Sequence, residues 1–569
     1  MYIVKKTING KDYYYLNKSV REGDKVRSKN VAYLGKDKQE AEKKAEGIIE
    51  SLKDGDGKLV TKKTKSSENE EIKNKETQNL DESKKLTIEE LTNFCKEKGF
   101  VFKSSEIYGG ISGFWDFGPL GVELFNNIKK NWWDFFVKSR ENIVGIEASV
   151  ISHPKTWEAS GHIENFNDIF VKCKACGKTS KLDENELGKV KCDCGGEYEN
   201  QGKFNLMFET KIGAIEPETA YLRGETAQAM FMDFKLIQQA NRLKLPFGIA
   251  QIGRCFRNEI ASRDFLFRSR EFHIAEFEFF INPNETNCEL LTEIHKEVKL
   301  KLLDEETQKQ GKEELKKSSI GKMLKSKKLD EWHAYWLAEQ ILWFNSMGLN
   351  EIKIREHTKD ELSHYSSATF DIDYEYVFGS KEVAGNANRG QYDLKQHEKF
   401  SKEKMEVFDE KYKNKIIPRV IEPTFGVERV FLAILTKAYT YDKERDNIVL
   451  KIPAKLAPIQ AAVFPIVKQD KYIEISEDIV KDLRKGFNVI YDKSGSVGRR
   501  YARNDSIGTP YCITIDADSK KGNNVTIRNR DDTKQIRVKI KDLKDVLKKL
   551  VNQEIEFEKA GKLVETRKK

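Results

Sequence analysis

The run FRNEIASRDFLFRSREF, residues 256–272, constrains this chain more than any other. It sets Arg257 and Glu259 two apart, then a loop with Arg263 and Asp264, then Arg268 and Phe272 four apart. IAQIGRCFR precedes it and EFHIAEFEFFI follows with rough apolar alternation, the pattern of two antiparallel strands. The spacing predicts a hairpin with its tip over residues 259–267. Such a hairpin holds guanidiniums above a concave sheet, where planar forks of N–H donors can clamp a phosphate and a carboxylate together. Phe272 offers a face on which a base can stack. Taken alone, a charged hairpin with surface ion pairs is the simpler account of F-R-x-E.

A second run, EPTFGVERVFLAIL at 422–435, changes that balance. An acidic strand end meets a glycine turn, and Arg429 opens an apolar helix. Gly426 leaves out a side chain where backbone must come close to a ligand. A cation in the first turn opposes the helix dipole, so function places Arg429 there better than stability does. The two segments together resemble motifs 2 and 3 of class II aminoacyl-tRNA synthetases.

The 569 residues leave room for three or four domains. Charged residues are 34% and mean hydropathy is −0.66, with no apolar run near the ~18 residues of a membrane span. MYIVKKTING lacks a long apolar signal core, so the expectation is a cytoplasmic protein with no membrane partner. The net charge of +9 is a modest basic bias, compatible with RNA without requiring it.

Residues 1–60 read as a small basic module of three short strands, with an Asn9-Gly10 turn, followed by a helix in KQEAEKKAEGIIESLK. Its Tyr13, Tyr14, Tyr15, Arg21, Lys25 and Arg27 suit single-stranded RNA, or equally a solvated surface over a small core. Residues 61–87 form a charged, flexible linker, and Thr87-Ile-Glu-Glu90 has the form of a capping box. A catalytic domain then runs over 88–455. Within it, a helix begins at Pro119, and IVGIEASVISHP reads as one strand stopping at Pro154, an arrangement that resembles the dimer-interface motif 1. A helix packed on its own core explains it equally well. Residues 285–350 read as a helical insertion. Residues 456–569 alternate strands and helices as a mixed α/β domain.

Four cysteines cluster as Cys173-Lys-Ala-Cys176 and Cys192-Asp-Cys194. Thiols at this spacing predict a structural Zn²⁺ ribbon over 173–196, with reduced unligated thiols as the alternative. The remaining four cysteines are scattered and read as buried thiols.

SSEIYGGISGFWDFGPLGVEL, HPKTWEASGHIENFND, YLRGETAQAMF and GRCFRNEIASRDFLFRSREF follow one another in order. From about residue 88 to the C-terminus they look like the dimeric glycyl-tRNA synthetases. That resemblance implies an α+β fold: a class II antiparallel-sheet catalytic domain with a C-terminal anticodon-binding domain. It implies a homodimer that uses ATP and Mg²⁺ to join glycine to tRNA(Gly). Arg257 would bridge the α-phosphate and the glycine carboxylate. Arg268 and Arg429 would flank the γ-phosphate, Phe272 would stack on adenine, and Glu259 would contact the adenine amino group or orient the loop. Glu382 would complete the ATP site. Glycine would be held by Arg223, Glu225, Glu276, Arg389, Glu422 and Thr424, the last where the family usually has serine. Gly224 and Asn388 also depart from the family's usual residues. Arg499, Arg500, Arg503, Arg528 and Arg530 would meet the anticodon. A non-catalytic paralogue that only binds RNA is the competing class, though such chains typically lose the motif arginines. A ligase for threonine, serine, proline or histidine is another.

Overall fold

The computed structural model describes residues 2–8, 11–22, 25–35, 38, 42, 44, 45, 86–182, 186–362 and 366–564. The chain divides into two units, Met1–Lys85 and Leu86–Lys569. The first contains an antiparallel meander of Tyr2–Ile8, Lys11–Glu22 and Lys25–Gly35, the three strands expected there. Tyr14 and Leu16 are buried within it. Of the helix expected next, residues 38, 42, 44 and 45 are described and are helical. The Asn9-Gly10 turn, the side chains of Tyr13, Tyr15, Arg21, Lys25 and Arg27, and the linker up to residue 85 lie outside the described residues.

In the second unit Thr87 caps the helix Ile88–Lys98 by the expected box, exchanging bonds with Glu90. The centre is a nine-stranded sheet. Its strands in chain order are β1 (Ile143–Gly145), β2 (Phe247–Phe256), β3 (Glu271–Ile281), β4 (Lys299–Leu303) and β5 (Lys316–Ser319). They continue with β6 (Ile352–Glu356), β7 (Ala368–Tyr376), β8 (Gly379–Gly390) and β9 (Arg419–Gly426). The spatial order is β5-β4-β6-β7-β8-β9-β3-β2-β1. Pairing is antiparallel except at β4/β6 and β1/β2. β2 and β3 are the predicted hairpin arms.

Three helices cover one face: α1 (Pro119–Trp133), α2 (Glu331–Ser346) and α3 (Val427–Ala438). Pro119 sits at the start of α1, where its missing N–H costs nothing. Strand alternation sorts β3 into two sets. Ala275, Phe277, Phe279 and Ile281 join the helix-side core, with Phe277 4.7 Å from Trp336 of α2. Phe272, Glu276 and Glu278, in the other register, face away from the helices. Across the ladder Glu276 pairs with Thr424, so Glu422 and Thr424 of β9 share that face while Phe425 joins the helix-side core.

Two expectations need correction. The segment 285–350 is not simply helical: β4 and β5 extend the central sheet, and the tryptophans of α2 are core rather than insertion. Lys-rich KLKLL and KKSS suit an edge, where alternate side chains reach water. IVGIEASVISHP is likewise two short strands, β1 pairing with β2 and Ile151–Ser152 pairing with Glu218–Leu222.

The C-terminal region forms a six-stranded mixed sheet whose core includes Val463, Ile513 and Ile527. Its helices Asp470–Leu483, Val497–Ser506 and Leu543–Val551 alternate with strands, the mixed α/β pattern expected there.

Candidate active site

Arg257, Glu259, Arg268, Phe272, Glu382 and Arg429 all line one cavity of about 130 Å³. Residues from β3, β8, the hairpin and the start of α3 meet because β8, β9, β3 and β2 are neighbours. The Arg257 guanidinium lies between the rings of Phe166 and Phe272, at 5.2 and 5.3 Å, and its Nε donates to the Gly224 carbonyl at 3.1 Å. Among the described residues nothing takes its two terminal nitrogens, so that fork faces the cavity fixed in direction. Arg268 Nε stands 3.5 Å from Glu259. Arg429 lies 4.5 Å over the Phe267 ring and pairs with Glu382 at 3.0 Å. Glu428 on the same turn accepts from both the backbone N–H and the ring of His273 at 2.8 Å, which ties α3 to β3. A Cβ on Gly426 would come 3.0 Å from Arg429 Cδ. The glycine therefore leaves room for the arginine to fold back across the turn, a closer reason than ligand approach.

Beside Glu382 on the ladder stands Asp373, whose carboxyl is pushed up to about 6 by burial and then by neighbouring Asp371. Oxygen donors under mutual repulsion are a fitting donor set for Mg²⁺.

Behind the arginines the β3/β9 face carries an acidic pocket. Glu276 accepts from the Thr226 N–H and the Thr424 hydroxyl, each at 3.1 Å, and from the Thr226 hydroxyl. Burial and then the charge of Glu422 push it up to about 8. Burial alone would raise Glu225 as well. The His162 ring at 3.1 Å and the charge of Arg389 instead hold it well below the usual carboxylate range. Arg389 reaches Glu422 at 2.6 Å and forks onto Asp393 with two bonds of 2.8 Å. Burial nevertheless leaves Glu422 above its ordinary value, with Arg389 opposing.

Arg223 does not belong with these groups. Its guanidinium is buried and spent on the carbonyls of Arg254 (2.7 Å) and Ala148 (2.9 Å) and on Gln251 (3.3 Å). It braces the wall of the pocket instead of presenting a donor to it. Sequence reasoning missed His162, Asp393, Thr226 and Glu278. His162 meets Glu225 across 63 residues, and Asp393, at the start of the next helix, meets Arg389 across the end of β8, with no periodic signal in either case. Glu278 was legible as the same-face neighbour of Glu276 two residues on.

Three strands, Asn167–Cys173, Thr179–Leu182 and Tyr198–Asn205, frame the cysteine cluster, with Cys173 ending the first and Cys176, Cys192 and Cys194 in the connections between strands. The Sγ atoms of Cys173, Cys176, Cys192 and Cys194 all lie within 4.8 Å of one another, with 3.5 Å from Cys173 to Cys194 and 3.6 Å from Cys176 to Cys192. A tetrahedron of ~2.3 Å zinc–sulfur bonds sets sulfurs about 3.8 Å apart. Four thiolates so placed fit Zn²⁺, and the separations are far too long for disulfides.

The C-terminal arginines divide. Arg500, Arg528 and Arg530 are only 2%, 6% and 2% exposed. Arg500 donates to the carbonyls of Pro465 and Gly495, Arg528 forks onto Asp505 at 2.8 and 2.9 Å, and Arg530 donates to Gly508 and Ile452. Their expected contact with RNA is withdrawn, because donors already bonded inside a fold do not reach an unstacked base. Arg499 and Arg503 are exposed on the helix Val497–Ser506.

A family model described as the tRNA synthetase class II core domain (G, H, P, S and T) matches residues 214–438, and one described as an anticodon binding domain matches 460–550. A solved prolyl-tRNA synthetase from Cryptosporidium parvum, complexed with halofuginone and AMPPNP, superposes with a TM-score of 0.50 at 14% identity. That match covers 82% of this chain and 78% of the other, a likeness of fold. Fold and site together define a class II aminoacyl-tRNA synthetase core with an anticodon-binding domain. Glycine–tRNA ligases from Treponema denticola and Geobacillus thermodenitrificans are 40% and 41% identical to the chain, matched over 80% and 83% of it and over 95% and 99% of their own length. The chain belongs to the glycine–tRNA ligase family.

Proposed function

We propose that this chain activates glycine with ATP to glycyl-adenylate and transfers the glycyl group to the 3′ end of tRNA(Gly), releasing AMP and pyrophosphate. The observation that carries this is the convergence of three arginines on one cavity with a buried acidic pocket behind it. In the first step a glycine carboxylate oxygen attacks the α-phosphorus, and the bond to the β-phosphate breaks with its electron pair leaving on pyrophosphate. Arg257 spans attacking carboxylate and α-phosphate with its two terminal nitrogens. Arg268 and Arg429 receive the charge on the leaving pyrophosphate, Arg429 exchanging Glu382 for phosphate oxygen. Preset cations of this kind stabilise the transition state without reorganising when charge develops. Phe272 supports the adenine, and Glu259 its amino group. Glu382 and Asp373 would hold Mg²⁺ through their carboxylate oxygens, and the ion would supply further neutralisation of phosphate charge. In the second step a ribose hydroxyl of the terminal adenosine attacks the adenylate carbonyl, loses its proton, and AMP departs.

Glycine offers no side chain to grip, and an apolar pocket separates one methylene by only ~1–3 kcal/mol. Glu225, Glu276 and Glu422 therefore bind its ammonium, while their bulk fills the space a Cβ would need. The pocket favours glycine over the larger amino acids of the same synthetase subclass. Arg499 and Arg503 are the anticodon contacts that remain exposed, and the four cysteines hold a structural Zn²⁺. The enzyme works as a homodimer in the cytoplasm, where its thiols stay reduced. Among the described residues no helix is long and apolar enough to cross a membrane. The decisive experiment is ATP–pyrophosphate exchange across amino acids: exchange with glycine alone is expected, and a folded protein without it would be an RNA-binding paralogue.

A further inference from the structure

Glu278 is the most deeply placed acid of the pocket and no step above uses it. It is 0% exposed, and among the described residues no N–H or hydroxyl donates to either carboxyl oxygen, which leaves the Glu422 carboxyl as the polar group within reach. An oxygen of Glu278 lies with oxygens of Glu276 and Glu422 in a group whose members are all within 4.8 Å of one another. The ladder explains the approach. Glu276 pairs with Thr424 and Phe279 with Ile421, a register that brings Glu278 beside Glu422 on the same face. Its neighbour on the other side, Ile249 of β2, offers nothing polar.

Two bare carboxylates this close in an apolar setting repel strongly, and a buried acceptor without a donor costs about 1–3 kcal/mol, more when charged. One proton removes both difficulties, because the acid becomes a donor to its neighbour, as in other paired carboxyls. The charged groups facing Glu278 agree. Glu422 on β9 and Glu276 on its own strand disfavour its ionisation, and Arg389 on β8 opposes them. Arg389 is engaged by Glu422 and Asp393. Burial first, then the Glu422 charge, keeps the Glu278 carboxyl well above the usual range.

We infer that Glu278 is a positioning residue for amino-acid selection: it keeps a proton, donates a hydrogen bond through it to Glu422, and holds that carboxylate ionised and aimed at the ammonium group of the substrate. The inference rests on the assignment of this pocket to glycine. It keeps one further negative charge out of the pocket, and it closes the floor with a neutral group that no substrate has to approach.

Gln keeps a neutral donor in nearly the same shape, whereas Leu fills the space without one. E278Q is therefore expected to hold the KM for glycine within about threefold of wild type, and E278L to raise it tenfold or more. The KM for ATP should stay level in both variants, a split that a merely structural role would not produce. In the infrared, the glycine-bound wild type should show the C=O stretch of a protonated buried carboxyl at neutral pH, and E278Q should lack it. Equal losses in E278Q and E278L would mean that an ionised Glu278 binds the ammonium directly, and the inference would be overturned. An unchanged KM in E278L would overturn it too, as would a wild type without the carboxyl band, which needs no variant to fold. E276Q separates this from the pocket itself: if E276Q raises the KM for glycine while E278L does not, the pocket stands and the role of Glu278 falls. If neither moves it, the glycine assignment has failed.

Discussion

At the residue scale, direction matters more than charge. Arg257 is clasped between two rings and anchored through Nε, so its terminal nitrogens form a fork of fixed orientation. A lysine there would keep the charge and lose the bidentate geometry. Both R257A and R257K are expected to lower glycine-dependent pyrophosphate exchange by about 10³-fold, within the range seen when a preset donor is removed. Binding of tRNA, measured by filter retention, should stay within about threefold. Collapsed tRNA affinity with surviving exchange would remove Arg257 from the chemistry. Glu276 adds a pH dependence. With its carboxyl at about 8, it is mostly neutral at pH 7 before glycine arrives, and it must ionise to hold an ammonium. Glycine binding should then release close to one proton at pH 7, and the KM for glycine should fall as pH rises towards 8. Calorimetry in buffers of different ionisation enthalpy reads the proton directly. The sign for stability is opposite. A carboxyl raised in the folded state contributes stability that is full below about pH 4.3 and is lost as pH rises through 8, at up to about 1.4 kcal/mol per pH unit. Denaturant titrations of E276Q should lack that slope.

Elements explain how much could be read beforehand. The hairpin, the capping box at Thr87 and the helix opening at Pro119 were legible because each rests on a local rule of alternation, capping or a fixed φ. The segment 285–350 misled for the converse reason: a strand such as KLKLL has too few residues to outweigh flanking helix formers, and its place is decided by a sheet edge distant in sequence. Buried arginines misled in another way. Arg500, Arg528 and Arg530 look like RNA contacts until Asp505 and the carbonyls of Pro465, Gly508 and Ile452 come into view. The cysteine cluster lies between these cases, since spacing singled out the four thiols and only the fold brought their sulfurs together. With little apolar core of its own, it should depend on metal for order. One zinc per chain is expected by elemental analysis. C176S should lose it, and hydrogen exchange across residues 198–205 should quicken while β2 and β3 keep their protection. A zinc-free protein with slow exchange there would show thiols packed without metal.

At the scale of the whole molecule, the two units differ in what they answer to. The relatives from Treponema and Geobacillus are matched over nearly their full length, yet that match takes up only 80–83% of this chain. Every group placed here in activation, from His162 to Arg429, lies in Leu86–Lys569, which also holds both large hydrophobic cores. Among the described residues, the sheet of the first unit consists of its own three strands. A protein beginning at residue 86 should therefore fold, since domains with their own cores do so alone. Its glycine-dependent pyrophosphate exchange should stay within about twofold of the full chain, because no adenylate-forming group is removed. Aminoacylation at limiting tRNA is the more sensitive measurement. An increase in the KM for tRNA, larger at low salt, would mark the basic N-terminal unit as an added hold on the phosphate backbone. If exchange itself fell tenfold in a folded truncation, the first unit would have to support the catalytic core, and the division of labour argued from its internal pairing would be wrong.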